Sequence, residues 1–217
     1  MSTNNVTTKP GIVLLHGIWM PAFMMRFLGR GLQKAGFDVY YFSYSGVFSS
    51  AEKTLERLRH LVERNSKGPL YFVAHSLGGL LLMSYLRRYP DTSVSGVVLL
   101  ASPVNGSYAA KSLSKSKLGC LLLGKSRSLL LSGVNYSGTV SIGMITGSVC
   151  LGLGRLVCKL DTPCDGAVSV KETRAAWLGH HLVLRQNHAG ILFSPTVITN
   201  ILYFFAHRRF LPDLNPV

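Results

Sequence analysis

The sequence predicts an α/β protein: a mostly parallel sheet of about six strands with helices on both faces. Three observations carry this expectation. Short apolar runs alternate with helix-length segments from one end of the chain to the other, the pattern of strands buried on both faces beneath crossover helices. The 217 residues, 47% hydrophobic and 15% charged, suffice for one sizeable core and argue against disorder. At Tyr71-Phe72-Val73-Ala74-His75-Ser76-Leu77-Gly78-Gly79 an apolar run passes into apolar residues at helical spacing, so Ser76 falls where a strand turns sharply into a helix.

The strands read as Ile12 to Leu15, Val39 to Ser43, Leu70 to Ala74, Gly96 to Leu100, Ser141 to Thr146 and Leu182 to Arg185. Six strands make a sheet of ordinary size. Between the second and third, Ala51 to Arg64 places Leu55, Leu58, Leu61 and Val62 on one helical face, and Ser49 with Glu52 has the spacing of a capping box. Leu77 to Arg88 forms the helix after Ser76, with Gly78 and Gly79 leaving room for it to pass close to neighbouring strands. Ser194 can cap a last helix with Pro195 at its first position, running towards His207. There is no internal repeat and no linker. The predicted organisation is a polar tail over 1–10, a single domain over 11–207 and a C-terminal tail over 208–217. Within it, 106–131 is either a crossover helix covering the sheet or a short cap or lid.

Charge is lopsided, with 23 Lys plus Arg against 9 Asp plus Glu, and no acid lies between Asp91 and Asp161. That gap holds Lys111, Lys115, Lys117, Lys125, Arg127, Arg155 and Lys159. Such a field suits either a solvated face or an anionic partner, and it speaks to association rather than fold. No nucleic-acid motif accompanies it, so no nucleic acid is expected as partner; contact with an anionic membrane stays open. Cys120, Cys150, Cys158 and Cys164 form no CxxC pair and sit among apolar residues, which reads as reduced, mostly buried thiols. Met1 to Pro10 is polar and carries no apolar core, so a cytoplasmic setting is expected, with peripheral membrane contact left open. Ser128 to Gly154 is uncharged and long enough to span a bilayer. Gly133, Asn135, Ser137, Gly138, Ser141 and Gly147 interrupt it, and it reads as part of the globular domain.

Ligands of open parallel sheets bind outside the carboxyl ends of the strands. The residues just past those ends include His16-Gly17, Ser76, and the loops holding Asp165 and His188. A serine alone is a weak nucleophile; it needs a base to take its proton and a third group to orient that base. Taken singly, Ser76 could be only a helix N-cap. His16 and His75 read as structural residues flanking the site. Both Asp161 and Asp165 lie in the loop after the fifth strand. Gly166 after Asp165 permits a reversal towards His188, whereas Asp161 before Thr162-Pro163 reads as a turn opener.

Through His16-Gly17, Ala74-His75-Ser76-Leu77-Gly78-Gly79, Asp165-Gly166 and Asn187-His188-Ala189-Gly190-Ile191-Leu192-Phe193-Ser194, the chain resembles the α/β-hydrolases, in particular the small bacterial lipase and esterase branch. The resemblance spans about Gly11 to Phe205 and implies a minimal version of that fold with a short cap segment. It implies Ser76 as nucleophile, His188 as general base and then acid, and Asp165 as the carboxylate orienting His188, in the chain order serine, acid, histidine. It implies an oxyanion hole from the backbone N–H groups of Ile18 and Leu77, each donor worth about 3 to 4 kcal/mol to the transition state. Two departures stand out: Ala74 replaces a frequent glycine, and Ala101-Ser102-Pro103-Val104-Asn105-Gly106-Ser107 stands where the family usually has Gly-Thr-Pro-His. The implied activity is hydrolysis of small-molecule or lipid carboxylic esters through an acyl-enzyme, with no metal or organic cofactor. Acyl transfer or thioester cleavage by the same residues, and a non-catalytic binding protein on the same fold, are the alternatives.

Overall fold

The computed structural model describes residues 9–65, 68–90, 94–152 and 154–212, with the side chains at 155 and 156 left aside. Six strands form one sheet: β1 (Gly11–Leu15), β2 (Asp38–Phe42), β3 (Leu70–His75), β4 (Val94–Leu100), β5 (Ile142–Gly147) and β6 (His180–Leu184). Their order is β2-β1-β3-β4-β5-β6, and every neighbouring pair is parallel. Each predicted strand is present, displaced by no more than two residues at either end. The chain steps from β1 outward to β2 and then back across β1 to β3. The crevice between the carboxyl ends of β1 and β3 is therefore the topological switch point, where ligands of such sheets bind.

Period-2 alternation sends β1 into two separate cores. Val13 and Leu15 join Phe72, Ala74, Val97 and Leu99 on one face, beneath α2 (Ala51–Asn65) and α3 (Leu77–Arg88). Ile12 and Leu14 join Val73, Val98 and Leu100 on the other, beneath α1 (Arg26–Lys34) and α8 (Pro195–His207). Leu28, Leu32 and Phe204 are fully buried on that side; truncating any of them to alanine would cost about 2–5 kcal/mol through lost burial and the cavity left behind.

Local signals are realised with small shifts. Helix α2 begins one residue later than its predicted cap, so Ser50 rather than Ser49 supplies the hydroxyl that accepts from the Lys53 amide (3.4 Å). The same S-x-x-E signature recurs at Ser169–Glu172, and there the reciprocal box closes. Ser194 occupies the N-cap position of α8 ahead of Pro195, but its hydroxyl makes no cap bond and instead accepts from Gln186 Nε2 at 3.4 Å. Past His207 the chain stays docked: Phe210 is buried with its ring 4.9 Å from that of Phe204. The tail predicted over 208–217 is thus held to the domain as far as Leu211, whose amide donates to Asn200 Oδ1 (3.1 Å). Residues 1–8 of the N-terminal tail and 213–217 of the C-terminal one lie outside the described residues.

Two expectations change. The 106–131 segment is not one crossover helix but three short ones, α4 (Tyr108–Leu113), α5 (Lys117–Leu123) and α6 (Arg127–Ser132), with a further short helix, α7 (Gly154–Val157), following β5. Ser107 and Ser116 cap the first two, each hydroxyl accepting an amide three residues on. The leucines are spaced for helix, but serine and glycine between them break the run. The cysteines are also not all thiols. Cys150 and Cys164 form a disulfide, whereas Cys120 and Cys158 are free and half-buried. The loop after β5 folds back on the Gly166 turn, where the chains approach so closely that a Cβ on Gly166 would strike the Leu151 backbone; this brings the two Cα atoms to 4.8 Å, within disulfide reach. No helix among the described residues is long and apolar enough to cross a membrane.

Candidate active site

The sharp turn at Ser76 is built by close packing. Ser76 has φ 53° and ψ −121°, a conformation that costs a non-glycine residue of order 1–3 kcal/mol and persists only where neighbours enforce it. Here its amide donates to the Leu100 carbonyl (2.8 Å) and its carbonyl accepts from Gly79 (3.0 Å). A Cβ on Gly78 would lie 2.6 Å from the His16 carbonyl, and one on Gly79 would collide with Ser102. The two glycines thus let α3 run against the ends of β1 and β4, as the sequence predicts. Trp19 and Ala101, just past β1 and β4, also have positive φ, 54° and 48°. Three strained non-glycine residues therefore lie just past neighbouring strands at one sheet edge, a clustering typical of functional sites.

That edge opens into a cavity of about 370 Å³, mostly apolar, whose walls include Ser76, His188, Gly17 and Ile18. Its size is that of small-molecule sites. The β1 loop is braced from behind: His16 stacks on Tyr44 with ring centroids 4.4 Å apart, the Tyr44 hydroxyl donates to the His16 carbonyl (2.5 Å), and His16 Nδ1 bonds the Gly17 carbonyl (2.8 Å). Burial holds the His16 pKa below the ordinary histidine value. His16 is structural, as read from sequence, and Tyr44 is the partner that reading missed. Ile18 and Ser76 meet at the cavity, while the Leu77 side chain is buried in the core. As the first residue of α3, Leu77 has a backbone N–H without an intrahelical partner.

His188 and Asp165 come together from loops 23 residues apart. His188 Nδ1 is 2.7 Å from Asp165 Oδ2, with the histidine side chain 19% exposed and the aspartate fully buried. The other carboxylate oxygen accepts from the amides of Ala167 (2.9 Å) and Val168 (2.7 Å), and the His188 amide donates to the Asp165 carbonyl (2.8 Å). Gly166, at φ 94°, makes the reversal that closes this turn. Because Nδ1 faces a carboxylate, it carries the proton and Nε2 is left as acceptor. Asp161 takes no part in this pair: it is exposed and lies 3.7 Å from Lys171 Nζ.

Behind this pair sits His75, buried, with Nε2 3.0 Å from the His188 carbonyl and its ring 4.6 Å from the His188 ring. Burial, reinforced by the neighbouring His188, drives its pKa well below the ordinary value, so it stays neutral. Glu172 was not foreseen. Buried, it accepts from the Ser169 amide and hydroxyl (both 2.7 Å) and the Tyr108 amide (2.8 Å), tying the turn after Asp165 to the start of α4. Burial raises its pKa from the ordinary carboxylate value. Most of the remaining wall is apolar: Ala109, Leu113 and Leu130 of the three short helices, Leu151 and Val157 of the disulfide-linked loop, and Trp19 and Met20 after β1 contribute to it, with Ser107 and Asn187 as polar members. No group of three or more metal-ligating side chains occurs among the described residues.

Residues 10–118 match the family model described as the alpha/beta hydrolase fold. Similar solved structures include the lipase of Bacillus licheniformis in its mature form (17% identity, 92% of each chain covered, TM-score 0.68). The Paleococcus ferrophilus monoacylglycerol lipase is similar at 16% identity (90% of this chain and 93% of that one, TM-score 0.60), and a metagenomic carboxyl esterase at 16% (84% and 65%, TM-score 0.62). No curated protein sequence matches the chain. At such identities the likeness to solved structures is one of fold, but the family model covers just over half of the sequence. The chain belongs to the α/β-hydrolase fold family.

Proposed function

We propose that the protein hydrolyses carboxylic esters through an acyl-enzyme, with Ser76 as nucleophile, His188 as general base and acid, and Asp165 orienting His188. The observation that carries this reading is the 2.7 Å Asp165–His188 pair opening on the cavity that the strained Ser76 also lines. In the first step Ser76 Oγ attacks the ester carbonyl carbon while its proton passes to His188 Nε2. The carbonyl oxygen takes up negative charge, and the Ile18 and Leu77 amides donate to it. Collapse expels the alcohol, protonated by His188, and leaves the acyl group on Ser76. Water then attacks that carbonyl, giving a proton to His188 Nε2; collapse breaks the bond to Ser76 Oγ, His188 returns the proton to that oxygen, and the carboxylic acid departs. Asp165 orients the His188 ring throughout, its other oxygen held by two amides. His75 and Glu172 are positioning residues in this scheme. The apolar walls favour an acyl chain of some length as the group that is bound.

A fluorophosphonate probe tests the central claim: covalent labelling of the wild type that disappears in Ser76→Ala establishes an activated serine. Absence of labelling in folded wild type would instead favour a binding protein without turnover. On location, the Cys150–Cys164 disulfide favours an oxidising compartment, where such bonds persist. Alkylation of thiols in intact cells, before and after reduction, separates a cytoplasmic setting from an oxidising one.

A further inference from the structure

Helix α5 is apolar on both sides. Gly119 and Leu123 point inward and are buried, with Leu123 lining the cavity. Leu118 and Leu121, three apart on the outward side, are 67% and 71% exposed, and Leu122 beside them is exposed as well. A helix with apolar side chains on both its inner and outer faces is ordinarily enclosed by protein or lipid, and among the described residues nothing covers the outer leucines of α5. The patch continues to the cavity mouth. The Trp19 indole N–H donates to the Leu122 carbonyl (2.9 Å) while its ring stays largely exposed at the cavity wall. Leu151, from the loop after β5, also lines the cavity and is 67% exposed. Adjacent exposed leucines and a tryptophan around an opening are more than the scattered apolar residues of an ordinary surface.

The same segment carries exposed Lys115, Lys117 and Lys125, just before, at the start of and just beyond α5, and it contains no acid. We propose that this face docks on an anionic lipid surface, with α5 and Trp19 entering the headgroup region, the lysines pairing with lipid phosphates, and the cavity mouth turned towards the bilayer. The charge pattern selects this occupant. A second copy of the chain meeting the face symmetrically would oppose lysines of like sign across an apolar seam, whereas leucine and tryptophan flanked by lysines match the boundary of an anionic membrane. The inference deepens the reading of an ester site by naming where its lipid substrate would arrive, and rests on that reading only for what happens after docking.

Sedimentation with vesicles in the Ser76→Ala background scores docking without turnover. The protein is expected to pellet with mixed phosphatidylcholine–phosphatidylglycerol vesicles and to stay in solution with phosphatidylcholine alone. Lys115→Gln, Lys117→Gln and Lys125→Gln together should weaken partitioning on the order of a hundredfold, since each lysine near an anionic surface contributes roughly fivefold, and raised salt should act likewise. Leu118→Ser with Leu121→Ser should abolish pelleting with an unchanged thermal unfolding midpoint. Equal pelleting with neutral vesicles, salt-insensitive pelleting, or none would overturn the proposal. So would a dimer in sedimentation velocity that the two leucine substitutions dissolve, because a second copy would then hold the face. If docking is found but the fluorophosphonate probe leaves Ser76 unlabelled, the proposal stands and the hydrolase reading falls.

Discussion

The floor and the roof of the cavity are built by opposite means. The floor, at the ends of β1, β3 and β5, is polar, buried and tightly bonded: Asp165 is fully enclosed and accepts from two amides and His188, and Ser76 is held in a strained turn by its neighbours. The roof consists of three helices of six or seven residues and a disulfide-linked loop, with leucines facing both inward and outward. Precise geometry in the floor suits bond-making, because a displacement of the reacting groups by an ångström is costly. An apolar roof with few directional bonds suits a flexible apolar group, for which contact area matters more than register. The difference teaches that substitutions in the floor should alter the rate of every substrate alike, and those in the roof should alter which substrate is preferred.

The sharpest way to break that division is at the acid. Asp165→Asn should lower kcat about ten-thousandfold with folding intact, because an amide favours the wrong histidine tautomer, while Asp161→Asn, on an exposed residue beside Lys171, should leave steady-state kinetics unchanged. The opposite result would move the acid role to Asp161. In the roof, Ala109→Phe projects bulk into the cavity and should reduce kcat/KM for long-chain esters by about tenfold, with a smaller loss for short ones. An equal loss across a chain-length series would mean that the roof does not gauge the acyl group.

The smallest effect concerns stability and acid. The His181 pKa is lowered to about 4 by burial, with the Arg174 charge adding to it, and burial also lowers those of His16 and His75. A histidine whose folded pKa lies below its unfolded value contributes stability in full above the unfolded pKa, because the unfolded chain takes up the proton first as pH falls. The urea midpoint should therefore decline between pH 6.5 and about 4, and His181→Gln should make that decline shallower. A midpoint unchanged over the range would contradict the burial argument.

Much of the floor was legible in the chain because its signals are local. An apolar run ending in His-Ser, two glycines and a helical pattern specify a strand, a turn and a helix within a dozen residues, and β3 and α3 follow them closely. Asp-Gly likewise announces a reversal, and the structure puts that reversal beside His188. The roof was less legible. Its leucine spacing indicates helix without saying where the helix breaks, so one crossover helix was as natural a reading as three short ones. Ser169–Glu172 carried a capping-box spacing that went unweighed, whereas Tyr44 behind His16 and the strain at Trp19 had no local signature.

By itself the sequence determined the α/β class, the six strands, the elbow at Ser76 and the small set of residues able to serve it, because strand and helix periods and turn chemistry are short-range properties. Only the tertiary structure decided that Asp165 rather than Asp161 meets His188, that Cys150 bonds Cys164, and that leucines of α5 remain uncovered at the cavity mouth. Each of these depends on how distant segments are brought side by side by the packing of one sheet, and spacing along the chain carries no measure of that distance.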